Sequence, residues 1–145
     1  MKVCCGFGHR VVYADLEGAL RAAVEAAIER GCELFLTGAM GMFDRMFAFA
    51  VREAKRSHPN IRLICVLPYP TAALERDRAY YAADFDDVWI PPELLNMHPK
   101  GAIGARNRRM IDRSDLVLFY VKNRFGGAYQ ALQYAKRADK PLILL

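Results

Sequence analysis

The chain predicts an α/β fold, a Rossmann-like three-layer sandwich on a mostly parallel sheet of about six strands, formed by residues 1–145 as one domain. Three observations lead there. Short runs that are apolar throughout recur along the chain, as expected of strands covered on both faces. Stretches with apolar residues at three- and four-residue spacing separate them, the signature of amphipathic helices. Glycine or proline turns follow several of the runs, at the strand ends where such sheets bind ligands.

In order, Val3 to Phe7 reads as the first strand, closed by Gly6-Phe7-Gly8. Asp15 is placed to cap a helix over residues 16–30, whose Leu16, Ala19, Leu20, Ala23, Val24, Ala27 and Ile28 share a face, and Gly31 stops it. Leu34-Phe35-Leu36 is the second strand and Thr37 to Gly41 its exit turn; residues 42–57 form a helix stopped before His58-Pro59. Ile61 to Leu67 is the third strand, leaving through Pro68-Tyr69-Pro70. Residues 71–83 read as helix, Val88-Trp89-Ile90 as a short strand, and Pro91 to Gly104, rich in proline and glycine, as a loop or lid. A helix over 105–113, a strand from Leu116 to Val121, a helix over 127–138 and a closing strand from Pro141 to Leu145 complete the pattern.

Composition narrows the class. No apolar run approaches the length of a membrane span, and the N-terminal run is too short for a secretory signal, so a cytoplasmic bacterial-type protein is expected, with no membrane partner. Cys4, Cys5, Cys32 and Cys65 lack zinc-ligand spacing and read as reduced, buried thiols; no metal site and no required cofactor are expected. The net charge of +5 is uneven: residues 100–145 hold 10 basic and 3 acidic side chains, whereas residues 1–99 are slightly acidic. A field of that sign favours anionic ligands or nucleic acid.

Four groups stand just after strands. Gly6-Phe7-Gly8-His9-Arg10 offers a close backbone approach beside a histidine and a cation. Thr37-Gly38-Ala39-Met40-Gly41-Met42-Phe43-Asp44 opens a helix whose first amides are expected to face a ligand; it lacks the lysine of a P-loop and the spacing of a GxGxxG fingerprint. Asp44 is the candidate for holding a ribose hydroxyl or orienting a water. Arg106 and Asn107 begin an arginine-crowded helix that ends at Ser114-Asp115, a pair read as tying the helix to the next strand. Arg108 and Arg109 are expected to be exposed. Phe125-Gly126-Gly127-Ala128 opens the last helix, with Lys122 and Arg124 nearby, as an anion cradle. The cluster Met42, Phe43, Met46, Phe47, Phe49 is read chiefly as core, with a face left over for a second copy of the chain.

Gly8-His9-Arg10, Gly41-Met42-Phe43-Asp44, Leu67-Pro68-Tyr69, Ala105-Arg106-Asn107 with Met110, Ser114-Asp115, and Gly126-Gly127-Ala128 with Tyr134-Ala135 stand in an order that resembles the YpsA-like bacterial group of the SLOG superfamily. The resemblance covers essentially the whole chain. It implies a Rossmann-like fold and a pocket for nucleotide-derived ligands, in a superfamily that also includes the lysine-decarboxylase-like phosphoribohydrolases and the DNA-processing protein A fold. The chain departs from the phosphoribohydrolases, which carry a proline before the glycine pair, then a threonine and paired glutamates. Here Phe125 precedes the glycines, Gln130 replaces the threonine, and Leu132 and Gln133 replace the glutamates. An amide supplies neither a general base nor carboxylate charge, so N-glycosidic cleavage by that route is not expected.

The leading reading is a domain that binds or senses a nucleotide, nucleotide-sugar or NAD/ADP-ribose-like molecule. Its site residues are Gly8, His9, Arg10, Gly38, Gly41, Asp44, Arg106, Asn107, Gly126 and Gly127, with Gly41, Gly126 and Gly127 approaching phosphate and His9, Arg10 and Arg106 neutralising it. The alternatives are a hydrolase of such a ligand, with Asp44 as the catalytic candidate, and a nucleic-acid or protein-interaction module using the basic C-terminal third.

Overall fold

The computed structural model describes residues 1–145. Its strands are β1 (Lys2–Gly8), β2 (Cys32–Thr37), β3 (Arg62–Val66), β4 (Asp87–Trp89), β5 (Leu116–Tyr120) and β6 (Leu142–Leu144). Its helices are α1 (Glu17–Glu29), α2 (Met42–Lys55), α3 (Ala72–Arg76), α4 (Arg78–Asp84), α5 (Pro99–Arg113) and α6 (Gly127–Arg137), with a 3-10 turn at Pro92–Leu94. All strand pairings are parallel, in the order β4-β3-β2-β1-β5-β6. The chain therefore winds outward from β1 in one direction, then crosses back to β5 and winds outward in the other. The strand order reverses between β1 and β5, and a crevice opens at the carboxyl ends of such a pair.

Two separate buried clusters show the three layers. On one face Leu20, Val24 and Ala27 of α1 and Phe43, Phe47 and Val51 of α2 cover Cys4, Phe35, Leu63 and Leu118. On the other, Met110 and Ile111 of α5 and Ala131, Leu132 and Ala135 of α6 cover Val3, Cys5, Val117 and Phe119. Residues that alternate along β1 and β5 thus feed opposite clusters, which is why those strands are apolar throughout. All four cysteines are buried and free, as expected, and burial pushes the Cys5 and Cys65 thiols up to about 12.

The close approach of α2 to β1 fixes two glycines. A Cβ at Gly6 would lie 3.2 Å from the Phe47 ring, and one at Gly8 would lie 2.3 Å from the Phe43 ring. The Phe43 and Phe47 rings stack on each other at 6.2 Å and occupy the space those side chains would take.

Three boundaries differ from expectation. The proposed lid of residues 91–104 is half helical: Pro99 occupies the first turn of α5, where its missing N–H is no loss, and His98 Nδ1 accepts the Lys100 amide as a cap. Gly101 and Gly104 lie within the first turns of that helix rather than in a loop. The helix over 71–83 breaks at Asp77 into α3 and α4. Asp15 stands one residue ahead of the α1 cap position, and its Oδ1 accepts the Glu17 amide at 3.1 Å. Ser114 Oγ donates to the Met110 carbonyl at 2.7 Å and so closes the end of α5, whereas Asp115 Oδ2 accepts the Val3 amide at 2.9 Å, so the pair ties the helix end to β1 rather than only to the strand that follows it. No helix is long and apolar enough to cross a membrane.

Candidate functional site

A cleft of about 1100 Å³ opens where β1 and β5 diverge. The β1–α1 loop, the β2–α2 turn, the N-terminal half of α5 and the start of α6 form its walls. Nine of the ten sequence-derived site residues line it: Gly8, His9, Arg10, Gly38, Asp44, Arg106, Asn107, Gly126 and Gly127. Gly41 does not, and the reason is steric. It holds φ 107°, and a Cβ there would stand 2.7 Å from Arg10 Cα, so the β1–α1 loop is packed directly on it.

That loop also consumes the start of α2. The Met42 and Phe43 amides donate to the Arg10 and His9 carbonyls at 2.8 and 3.3 Å. The expected phosphate cradle at Gly41 is therefore closed by the protein's own backbone. The start of α6 is open. Gly126, at φ 90° and ψ 178°, occupies a region that only glycine enters readily. The first internal bond of the helix runs from Gln130 N–H to the Gly126 carbonyl, and the Gly127, Ala128 and Tyr129 amides donate to nothing in the chain. Nothing lies within 4 Å of where a side chain would begin at Gly126 or Gly127. Packing accounts for glycine at 8, 38 and 41; at 127 no neighbour requires it.

Arg106 differs from its expected role. Only 4% exposed, it donates Nη1 to the Val66 and Gly38 carbonyls at 2.9 and 3.1 Å, and Nε to Asn107 Oδ1 at 2.9 Å. Its guanidinium lies against Gly38, where a Cβ would come within 3.0 Å of it. The cation gathers the carboxyl ends of β2 and β3 beneath the cleft and has no carboxylate within ion-pair distance. It is a buttress, and the counter-charge for a ligand must come from other residues. By engaging Asn107 Oδ1, it leaves the Asn107 amide N–H groups for the cleft.

Asp44 stands half-buried at the cleft wall, its Oδ2 accepting the Met40 amide at 2.8 Å. Burial pushes its carboxyl up to about 6; the Met40 amide and the Arg106 and Arg10 cations oppose that shift. His9 Nε2 accepts the Lys122 amide at 2.8 Å, so its proton sits on Nδ1, and the ring meets Tyr120 edge-on at 5.9 Å. The ring thus joins the β1 loop to the β5 loop across the switch point.

The charge lining the cleft is one-sided. Arg10, Lys100, Arg108 and Arg137 reach it alongside Arg106, and Asp44 is the only carboxylate there. None of those four exposed cations takes part in any of the ion pairs that the protein forms elsewhere. Sequence reasoning named Arg10 and missed the other three: Lys100 fell in the expected loop, Arg108 was read as exposed surface, and Arg137 was not singled out. Arg109, expected to be exposed, is half-buried over Trp89 at 5.6 Å and faces Glu93 at 3.0 Å. Tyr13 and Phe125, 96% and 72% exposed, stand on opposite loops of the same cleft.

A doubly wound parallel sheet with a basic crevice at its switch point is the class that fold and site define. No protein-family model matches the chain, and no curated protein matches it. Solved structures do. DNA processing protein A from Streptococcus pneumoniae aligns with 99% of this chain at a TM-score of 0.70 and 15% identity, over 50% of its own length. DNA processing protein A from Helicobacter pylori, described for its single-stranded DNA binding mode, aligns with 99% of this chain at a TM-score of 0.67 and 16% identity, over 64% of its own length. The fold is thus shared with DNA processing protein A, and this chain spans about half to two thirds of the length of those proteins.

Proposed function

We propose that the cleft binds a nucleotide-derived ligand through a phosphate seated on the first amides of α6. The observation that carries this reading is the open start of α6: N–H groups without partners, next to a glycine that no neighbour requires, in a cleft whose exposed cations lack counter-ions. A helix N-terminus favours an anion through both its free donors and its dipole. Arg10 flanks the phosphate, the Asp44 carboxylate and the Asn107 amide take ribose or base, and Tyr13 and Phe125 offer rings for stacking. A volume near 1100 Å³ suits a ligand the size of a nucleotide or larger. The YpsA-like assignment goes with this reading, since its glycine pair is the cradle and its Gly8-His9-Arg10 segment forms the facing wall.

A thermal-shift screen with mononucleotides, nucleotide-sugars and dinucleotides tests the proposal. At least one ligand is expected to raise the melting temperature in a saturable way, and Gly127→Asp to abolish the rise by placing a carboxylate among the phosphate donors. No shift across the whole set would contradict it. Hydrolysis of the bound ligand rests on Asp44, whose carboxyl burial pushes up to about 6; product formation that Asp44→Asn removes, with binding retained, is the result that reading requires.

A second reading is single-stranded nucleic acid. The exposed Tyr13 and Phe125 rings beside unpaired cations favour it, as bases stack on such rings while cations follow the backbone. The structurally similar DNA processing protein A from Helicobacter pylori is described for its single-stranded DNA binding mode. Affinity that rises with oligonucleotide length and falls steeply with salt distinguishes this reading from a free nucleotide.

A further inference from the structure

The cleft does not end at the edge of the sheet. Its lining continues between the outer helices, past Gly104 and Arg108 on α5 and past Ala131, Tyr134 and Arg137 on α6. From Gly127 to Arg137 the wall follows α6 for about 15 Å at 1.5 Å per residue. Small residues keep this stretch open, and Arg108 is set into it: a Cβ at Gly104 would stand 3.4 Å from Arg108 Nη1, so the guanidinium lies over that glycine. The Tyr134 hydroxyl donates to Asp112 Oδ1 at 2.7 Å. That bond and burial push the Tyr134 hydroxyl up, while Arg108 and Arg137 both act on it in the opposite sense. Arg108, Tyr134 and Arg137 line the same stretch of the cleft, and neither exposed guanidinium has an ion-pair partner.

We infer that the groove between α5 and α6 is a second phosphate subsite, formed by Arg108 and Arg137. The cleft then takes a ligand with at least two separated phosphates, the first on the α6 amides and the next along the groove. This rests on the nucleotide reading above and extends it: a mononucleotide fills only the upper half. The chemistry fits a dinucleotide with a phosphodiester link and the end of a nucleic-acid strand alike.

Adenosine 5′-monophosphate, 5′-phosphorylated diadenylate and 5′-phosphorylated hexa-adenylate serve as probes. Titrations against the wild-type chain and the Arg108→Gln/Arg137→Gln double variant, at several salt concentrations, test the inference. In the wild type, affinity rises at least tenfold from the mononucleotide to the hexamer. The double variant loses most of that rise and binds the mononucleotide within twofold of wild type. Its salt slope for the hexamer is shallower by about 1.4, from about 0.7 for each of two single-strand phosphates lost. Diadenylate that already reaches hexamer affinity marks a dinucleotide-sized ligand; a continued rise marks a strand, and both support the subsite. Equal affinity for all three probes, or equal weakening of mononucleotide and hexamer by the double variant, overturns the subsite and leaves the nucleotide reading intact. Failure of every probe to bind overturns both. Both arginines are exposed and outside any ion pair, so an unchanged melting temperature is expected to confirm that the variant folds.

Discussion

At the scale of single residues, the site is held together by one buried cation. Arg106 satisfies carbonyls from two strand ends and orients the amide of Asn107. Arg106→Ala would strand the Gly38 and Val66 carbonyls away from water, and urea denaturation is expected to show a loss of about 3 kcal/mol. Arg106→Lys recovers only part of that, because an ammonium cannot reproduce the planar fork that engages all three partners. Asp44 makes a prediction of opposite sign. Its carboxyl is raised to about 6 in the folded protein against 3.8 unfolded, so the folded state binds the extra proton between those values. The contribution of Asp44 to stability is therefore fully present below the unfolded value and is lost as pH rises through about 6. Asp44→Asn keeps an acceptor for the Met40 amide and removes the charge. It should be more stable than wild type at pH 8, by up to about 3 kcal/mol, and unchanged near pH 3.5. Equal pH profiles for the two proteins would refute this account of the carboxyl. Neither role was legible in the sequence. Arg106 lies in a row of arginines, and only the packing of α5 over the strand ends shows that this one points inward.

At the scale of elements, two strand–turn–helix units look alike in sequence and differ in use. Both helices begin at a glycine of positive φ, Gly41 for α2 and Gly126 for α6. The β1–α1 loop folds over the first and takes its amides, while the second is left open. Sequence spacing located both turns correctly, but which one is covered depends on a loop about thirty residues distant from Gly41. The same contrast predicts how the glycines respond to substitution. Gly8→Ala drives a methyl into the Phe43 ring and should cost about 2 kcal/mol in chemical denaturation. Gly127→Ala meets open space in a helical first turn and should leave stability level or slightly higher. A large loss at Gly127 would show a packing role that the structure does not contain. The start of α5 was misread because Gly101, Gly104 and three nearby prolines are ordinarily loop residues. Pro99 at the first helical position and the His98 cap outweigh them.

At the scale of the whole molecule, the winding of the chain explains why these groups meet. Reversal of strand order between β1 and β5 separates the loops that follow them, and residues from four parts of the chain converge on the resulting space. The alternation of apolar runs and amphipathic segments was enough to read this architecture, because the sheet is buried on both sides and each strand carries that in its composition. The charge asymmetry was also legible, with the excess of basic residues falling after position 99. Its placement was not: the cations along α5 and α6 reach the cleft only because the two helices lie side by side on one face. That placement predicts ligand binding that weakens with ionic strength, with wild-type affinity falling several-fold between 50 and about 200 mM salt.

The most direct measurement follows backbone amide signals by NMR as adenosine 5′-monophosphate is added. The Gly127 and Ala128 amides should shift progressively to saturation, while those of Met42 and Phe43, already bonded to the Arg10 and His9 carbonyls, stay in place. Saturable shifts centred on Met42 and Phe43, with Gly127 and Ala128 unmoved, would contradict the assignment of the phosphate site to α6.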